Sequence, residues 1–75
     1  MNTRDKGGIS HQLRETHIEL YKLLKIEGLA DTGGTAKNLI ADGQVKVNGQ
    51  VETRKRYKAK AGDRVEVFDD VVLVE

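Results

Sequence analysis

Apolar residues recur along this chain with two different periods, and the switch between them marks out the elements. Leu20, Tyr21, Leu23 and Leu24 fall at helical spacing, with Glu15, Glu19 and Lys22 on the other side. This predicts an amphipathic helix from near Ile18 to a stop at Gly28. Ala36, Leu39 and Ile40 repeat the i, i+3, i+4 pattern and predict a second helix from about Gly33 to Asp42. Asp31 and Thr32 offer side-chain oxygens to its free N–H groups, and Gly43 can take the left-handed conformation that ends it. The period then falls to two. Val45 and Val47 alternate with Gln44 and Lys46, as in a half-buried strand. Asn48-Gly49 supplies the two positive φ angles of a type I′ hairpin, and Val51 continues the returning strand.

Away from this unit the pattern thins. Residues 1–8 are polar and without period, which predicts a flexible tail ahead of one domain over 9–75. Ile9 and Leu13, with His11 in phase, allow a short strand, and Arg14 to His17 is too polar for a core. Ile26 lands on the polar side of the first helix, while Leu29 can pack back on its end. TRKRYKAK, residues 53–60, reads as too polar and basic for a core strand, and Ala61-Gly62-Asp63 reads as a turn. Arg64 to Phe68 alternates charged and apolar residues, Asp69-Asp70 can reverse the chain, and Val71 to Val74 reads as a last strand. The expected fold class is α+β, two packed helices against a small, mostly antiparallel sheet.

Charge alters this picture more than composition does. The formal net charge is only +1, but it is segregated. Residues 1–43 balance. Residues 44–60 set Lys46, Arg54, Lys55, Arg56, Lys58 and Lys60 against Glu52 alone, a local +5. Residues 61–75 set Arg64 against Asp63, Glu66, Asp69, Asp70 and Glu75, a local −4. Such segregation gives a positive field that the net charge conceals.

Catalysis and metal binding find little support. There is no cysteine, hence no disulfide or thiolate site. His11 and His17 are not at the i, i+4 spacing of a helical metal pair, and His17 is expected beside the apolar face of the first helix as a structural imidazole. No serine lies in a nucleophile elbow, and GGTAK lacks the spacing and ending of a phosphate-binding loop. A chain of 75 residues leaves little room for a water-excluding pocket. No enzyme activity and no cofactor are expected. With no apolar run near the roughly 20 residues of a membrane span and no apolar middle in MNTRDKGG, a cytoplasmic protein is expected.

Nucleic acid fits the basic segment better. Lys37 follows Ala36 and so points away from the buried side of its helix. Lys46 and Asn48 lie opposite Val45 and Val47. If residues 53–58 are extended, Arg54, Arg56 and Lys58 share a face and Lys55 takes the other. Guanidinium groups grip phosphates in bidentate fashion. Two Tyr and one Phe are too few for a base-stacking platform, so recognition by shape and backbone is expected. Gly33-Gly34 is a poor helix start with two readings: close packing, or a bare helix end that lets a phosphate reach the N–H groups. The alternative partner is a protein, met by the acidic C-terminal residues Glu66, Asp69, Asp70 and Glu75 or by Val71 to Val74 as an open sheet edge.

The order of helix, Gly28-Leu29-Ala30, helix ending Leu39-Ile40-x-x-Gly43, then Val45-x-Val47-Asn48-Gly49 resembles the αL motif, the RNA-binding module of small-subunit ribosomal protein S-four. The resemblance runs from about Ile18 to Val67. LLKxEG, TGGTAK and NGQVETRKRYK are similar to its stand-alone YbcJ-like subfamily. The resemblance implies RNA instead of DNA, and an RNA face made by the second helix and the hairpin loop. That face comprises Gly33, Gly34, Lys37, Lys46 and Asn48, joined by Arg54, Lys55, Arg56 and Lys58. Structured RNA, ribosomal or transfer RNA, is the implied partner of a monomer, with ribosome association a further expectation. Many members of the wider family carry arginine where this chain has Gly33, so one expected phosphate contact is replaced by bare backbone.

Overall fold

The computed structural model describes residues 8–75. Its elements in order are β1 (Gly8–His11), β2 (His17–Glu19), α1 (Leu20–Ile26), α2 (Gly33–Ala41), β3 (Val45–Val47), β4 (Gln50–Val51), β5 (Lys58–Lys60), β6 (Arg64–Val67) and β7 (Asp70–Val74). The expected tail lies outside the described residues except for Gly8, which opens β1.

Both helices end as their sequences direct, but they begin differently. Thr32 caps α2: its hydroxyl accepts from the Thr35 amide at 3.1 Å, while Asp31, the other candidate, is not the capping residue. Gly43, at φ 81°, closes the far end. For α1 no side chain caps the start. Instead the Leu20 and Tyr21 amides donate to the carbonyls of Tyr57 and Lys55, at 2.8 and 3.2 Å. Gly28, at φ 79°, ends this helix as expected. The helix starts two residues late because Ile18 belongs to β2, which runs antiparallel to β5 with Ile18 opposite Ala59. This also corrects the reading of residues 53–60. Lys58–Lys60 is a strand that buries only Ala59, and its flanking lysines stay exposed. One small apolar residue between two snorkelling side chains suffices for a strand paired on one side. His17 likewise sits on β2, not beside a helical face.

The larger sheet has the order β1-β7-β6-β3-β4, antiparallel throughout except that β1 lies parallel to β7. Val45, Val47, Val65, Val67, Val72 and Val74 are buried together with Leu20, Leu23 and Leu24 of α1 and Ala36 and Ile40 of α2. The alternation read from the strands therefore aims one face at two packed helices, the expected α+β arrangement. Two details differ. The β6–β7 turn falls on Phe68-Asp69, since Val67 pairs with Asp70. And β7 lies between β1 and β6, so Val71 to Val74 is not an open edge. Ile26, on the polar side of α1 by its spacing, is 61% exposed.

In the β3–β4 hairpin Asn48 and Gly49 have φ of 53° and 87°, as a type I′ turn requires. A Cβ at Gly49 would meet no atom within 4 Å, so a substitution there is penalised by backbone conformation alone. Gly49→Val should cost about 1–2 kcal/mol, or roughly 5–15 °C in thermal melting of a domain this size. An unchanged melt would mean the turn can leave this conformation freely.

Candidate nucleic-acid interface

The basic segment is not extended. From Arg54 to Tyr57 it turns back on itself, with the Tyr57 amide donating to the Arg54 carbonyl at 3.1 Å. Lys55 and Arg56 take the two central positions, both exposed and in no ion pair among the described residues. The carbonyls of Lys55 and Tyr57 are the ones that receive the α1 amides, so the turn is fastened to the start of that helix. Backbone attachment fixes the height of the loop and leaves the side chains of its tip free.

Arg54 is held differently. Its Nε and Nη2 donate to the two carboxylate oxygens of Glu52 at 2.8 and 2.9 Å, and its own amide also donates to Glu52. This side-chain hydrogen bond is the main reason the Glu52 carboxyl lies below the usual carboxylate range, against the opposing effect of burial. The guanidinium also sits 5.4 Å from the Tyr57 ring centre. A phosphate must compete with Glu52 for Arg54, which was expected to be a free contact.

Beneath the loop, Asp63 gathers polar groups from three segments. It is 3% exposed and accepts from Asn48 Nδ2 at 3.1 Å, Tyr57 Oη at 2.9 Å and the Lys60 amide at 3.0 Å. Lys60 Nζ lies 3.5 Å away. Burial pushes the Asp63 carboxyl up, but the hydrogen bonds from Lys60, Asn48 and Tyr57, with the Lys60 charge, outweigh it and leave it below the ordinary range. Burial and the bond to Asp63 in turn push the Tyr57 phenol up. The Asn48 amide is further engaged through its oxygen, which accepts from the Arg64 amide at 2.9 Å. Asn48 thus ties the hairpin to β6, a structural duty beside any contact with RNA.

Tyr21 joins the other half of the face. Its ring is 3.8 Å from where a Cβ on Gly33 would stand, and Lys37 Nζ lies 4.7 Å from its centre. Lys37 is therefore half-buried across the helix pair, not aimed straight outward as its spacing suggested. The nearest contact for a Cβ on Gly34 is the Thr32 hydroxyl, also at 3.8 Å. These are ordinary contact distances, so neither glycine is demanded by close packing. The turn at Lys55 and the start of α2 are linked through Tyr21, whose amide donates to the Lys55 carbonyl and whose ring lies beside Gly33.

Lys46 is exposed on β3, opposite Val51 and Glu66. Lys58 is exposed opposite Glu19, which lies 3.6 Å from Lys22. With Arg54 bound to Glu52 and Lys60 beside Asp63, the positive field of the segment rests on Lys46, Lys55, Arg56 and Lys58. On the acidic side Glu66 lies 3.5 Å from Arg64, and Glu75 accepts from Ser10 and Gln12. Both serve internal contacts. Tyr21, Tyr57 and Asp63 went unmarked as organisers of the site, because their partners are distant in sequence. Among the described residues no cluster of three metal-ligating side chains occurs and no helix is long and apolar enough to cross a membrane.

The chain is 56% identical over 52 residues to the YbcJ proteins of Escherichia coli (strain K12) and Shigella flexneri, a stretch covering 69% of this chain and 74% of each relative. Its fold matches the solution structure of YbcJ from E. coli, described as revealing an αL motif involved in RNA-binding. That match has a TM-score of 0.67 at 43% identity and covers 99% of this chain and 92% of the other. The S4 domain family model matches residues 11–75. This span holds both helices, the hairpin and the loop fastened to α1, and the chain belongs to the S4 domain family.

Proposed function

We propose that this protein binds structured RNA through its phosphates, as a monomer and without catalysis, with ribosomal or transfer RNA as the target class. The observation that carries the reading is the Lys55-Arg56 tip: two exposed cations without ion-pair partners among the described residues, on a loop whose backbone is hydrogen-bonded to α1. Lys46 and Lys58 extend the charge, and Gly34 is exposed without a side chain in the first turn of α2. The description of the E. coli YbcJ structure as carrying an RNA-binding αL motif supports the same reading. Few aromatic side chains and several exposed cations suit the backbone of a folded RNA better than a run of splayed bases. The test is binding to a structured RNA across a range of salt. Phosphate contacts release counterions, so affinity should fall steeply, with a logarithmic slope close to the number of contacts. A flat dependence would sink the reading.

Gly34→Ala probes the start of α2. Alanine is the better helix former by up to about 1 kcal/mol, and its methyl would sit at ordinary contact distance. Melting temperature should hold or rise. RNA affinity should fall at least about tenfold, the loss of one charge-assisted hydrogen bond worth about 1.5 kcal/mol or more. Retained affinity would remove the helix start from the face.

A further inference from the structure

Phe68 stands where physical chemistry would place glycine. It is the first of two turn residues between the paired Val67 and Asp70, and its φ is +54°. Positive φ is unfavourable for a bulky residue, and this turn position favours glycine. The ring is also 71% exposed, so no burial offsets the backbone strain.

The ring edges a shallow depression shared with Gly43, Gln44, Lys46 and Glu66. Beside Gly43 stands Val51, whose methyl lies 3.7 Å from where a Cβ on Gly43 would be. Glu66 is drawn toward Arg64 at 3.5 Å, while Lys46 is in no ion pair among the described residues. An exposed aromatic face and an ammonium whose cross-strand neighbour, Glu66, is turned to Arg64 thus border one hollow. A nucleotide offers their two complements, a flat base and a phosphate. A protein segment would need an acidic and an apolar group at matching spacing; a nucleic acid carries both in every residue.

We propose that Phe68 stacks on one unpaired base of the bound RNA while Lys46 holds a phosphate beside it. The inference rests on the RNA reading and adds to it a preference for RNA with an extruded nucleotide. A lone ring at the rim gives no sequence code, since every base has a face to stack on.

The experiment compares two RNA hairpins, fully paired or with one bulged adenosine, against wild type, Phe68→Gly, Phe68→Trp and Lys46→Ala. Wild type should prefer the bulged hairpin. Phe68→Gly should lower affinity for the bulged RNA at least about fivefold, barely change the paired one, and leave the salt slope alone. Its melting temperature should hold or rise, because glycine accepts the φ. Phe68→Trp should keep the preference. Lys46→Ala should lower the salt slope by about one. Equal effects of Phe68→Gly on both RNAs, or none on either, would overturn the stacking role and leave the ring to a protein contact. A wild type that binds both hairpins equally also overturns it. A wild type that binds neither overturns the RNA reading itself.

Discussion

Asp63→Ala should lower the melting temperature by roughly 12–24 °C, the largest loss expected from any exchange of one polar side chain here. Asp63 is nearly fully buried and receives three hydrogen bonds, from Asn48, Tyr57 and the Lys60 amide. Hydrogen bonds to a charged group are worth about 1.5–3 kcal/mol each before losses are shared. Removing the acceptor also leaves the part-buried donors without this partner. A total near 3 kcal/mol follows, which at about 4–8 °C per kcal/mol gives the stated drop. The same residue sets the acid limit. Asp63 and Glu52 both lie below their ordinary values in the fold. Their stabilisation is complete above the unfolded carboxylate value near pH 4 and is lost as pH falls through the lower folded values. Wild type should therefore lose stability below about pH 4, and Asp63→Ala should follow a flatter curve there. A loss of less than about 4 °C at neutral pH would show that Asp63 is a spectator.

The second large effect concerns RNA. Lys55→Ala with Arg56→Ala should reduce affinity for a structured RNA by roughly 25- to 60-fold in 0.1 M salt and make the salt slope shallower by about two. The estimate takes one phosphate for each free cation and equal binding of the two proteins at 1 M salt. Melting should barely move, because the α1 amides are met by backbone carbonyls that the substitutions retain, and exposed charges contribute little stability. A control comes from the neighbouring pair. Replacing Arg54 with Ala and Glu52 with Gln together changes no net charge and removes a guanidinium that is already engaged. That variant should keep a salt slope near wild type. A large slope change in the control, or none in the Lys55 and Arg56 variant, would move the phosphate contacts to Arg54.

Legibility in the sequence followed distance along the chain. The Thr32 cap, the Gly43 stop, the period of Val45 and Val47 and the Asn48-Gly49 turn each act within about four residues, and each was readable. Ile18 was assigned to a helix because its strand depends on Ala59, far along the chain. Residues 53–60 read as too polar and basic for a core strand because nothing local shows that Ala59 stands opposite Ile18. For the site, residue types were legible and their availability was not. Arg54, Lys37 and Asn48 bear the right groups for RNA, but Glu52, Tyr21 and Asp63 engage them. Phe68 read as the end of a strand, and its exposure and backbone conformation depend on where the turn falls.

The loop that starts α1 also limits how this fold can vary. Surface loops ordinarily accept added residues at modest entropic cost. Between Lys55 and Tyr57 that tolerance is withdrawn, since both carbonyls must arrive together over Leu20 and Tyr21. Length can change before Arg54, whereas one residue added within the turn would uncouple a helix more than thirty positions earlier. Relatives wishing to reach a different nucleic acid would therefore diversify side chains at the tip while its length stayed constant.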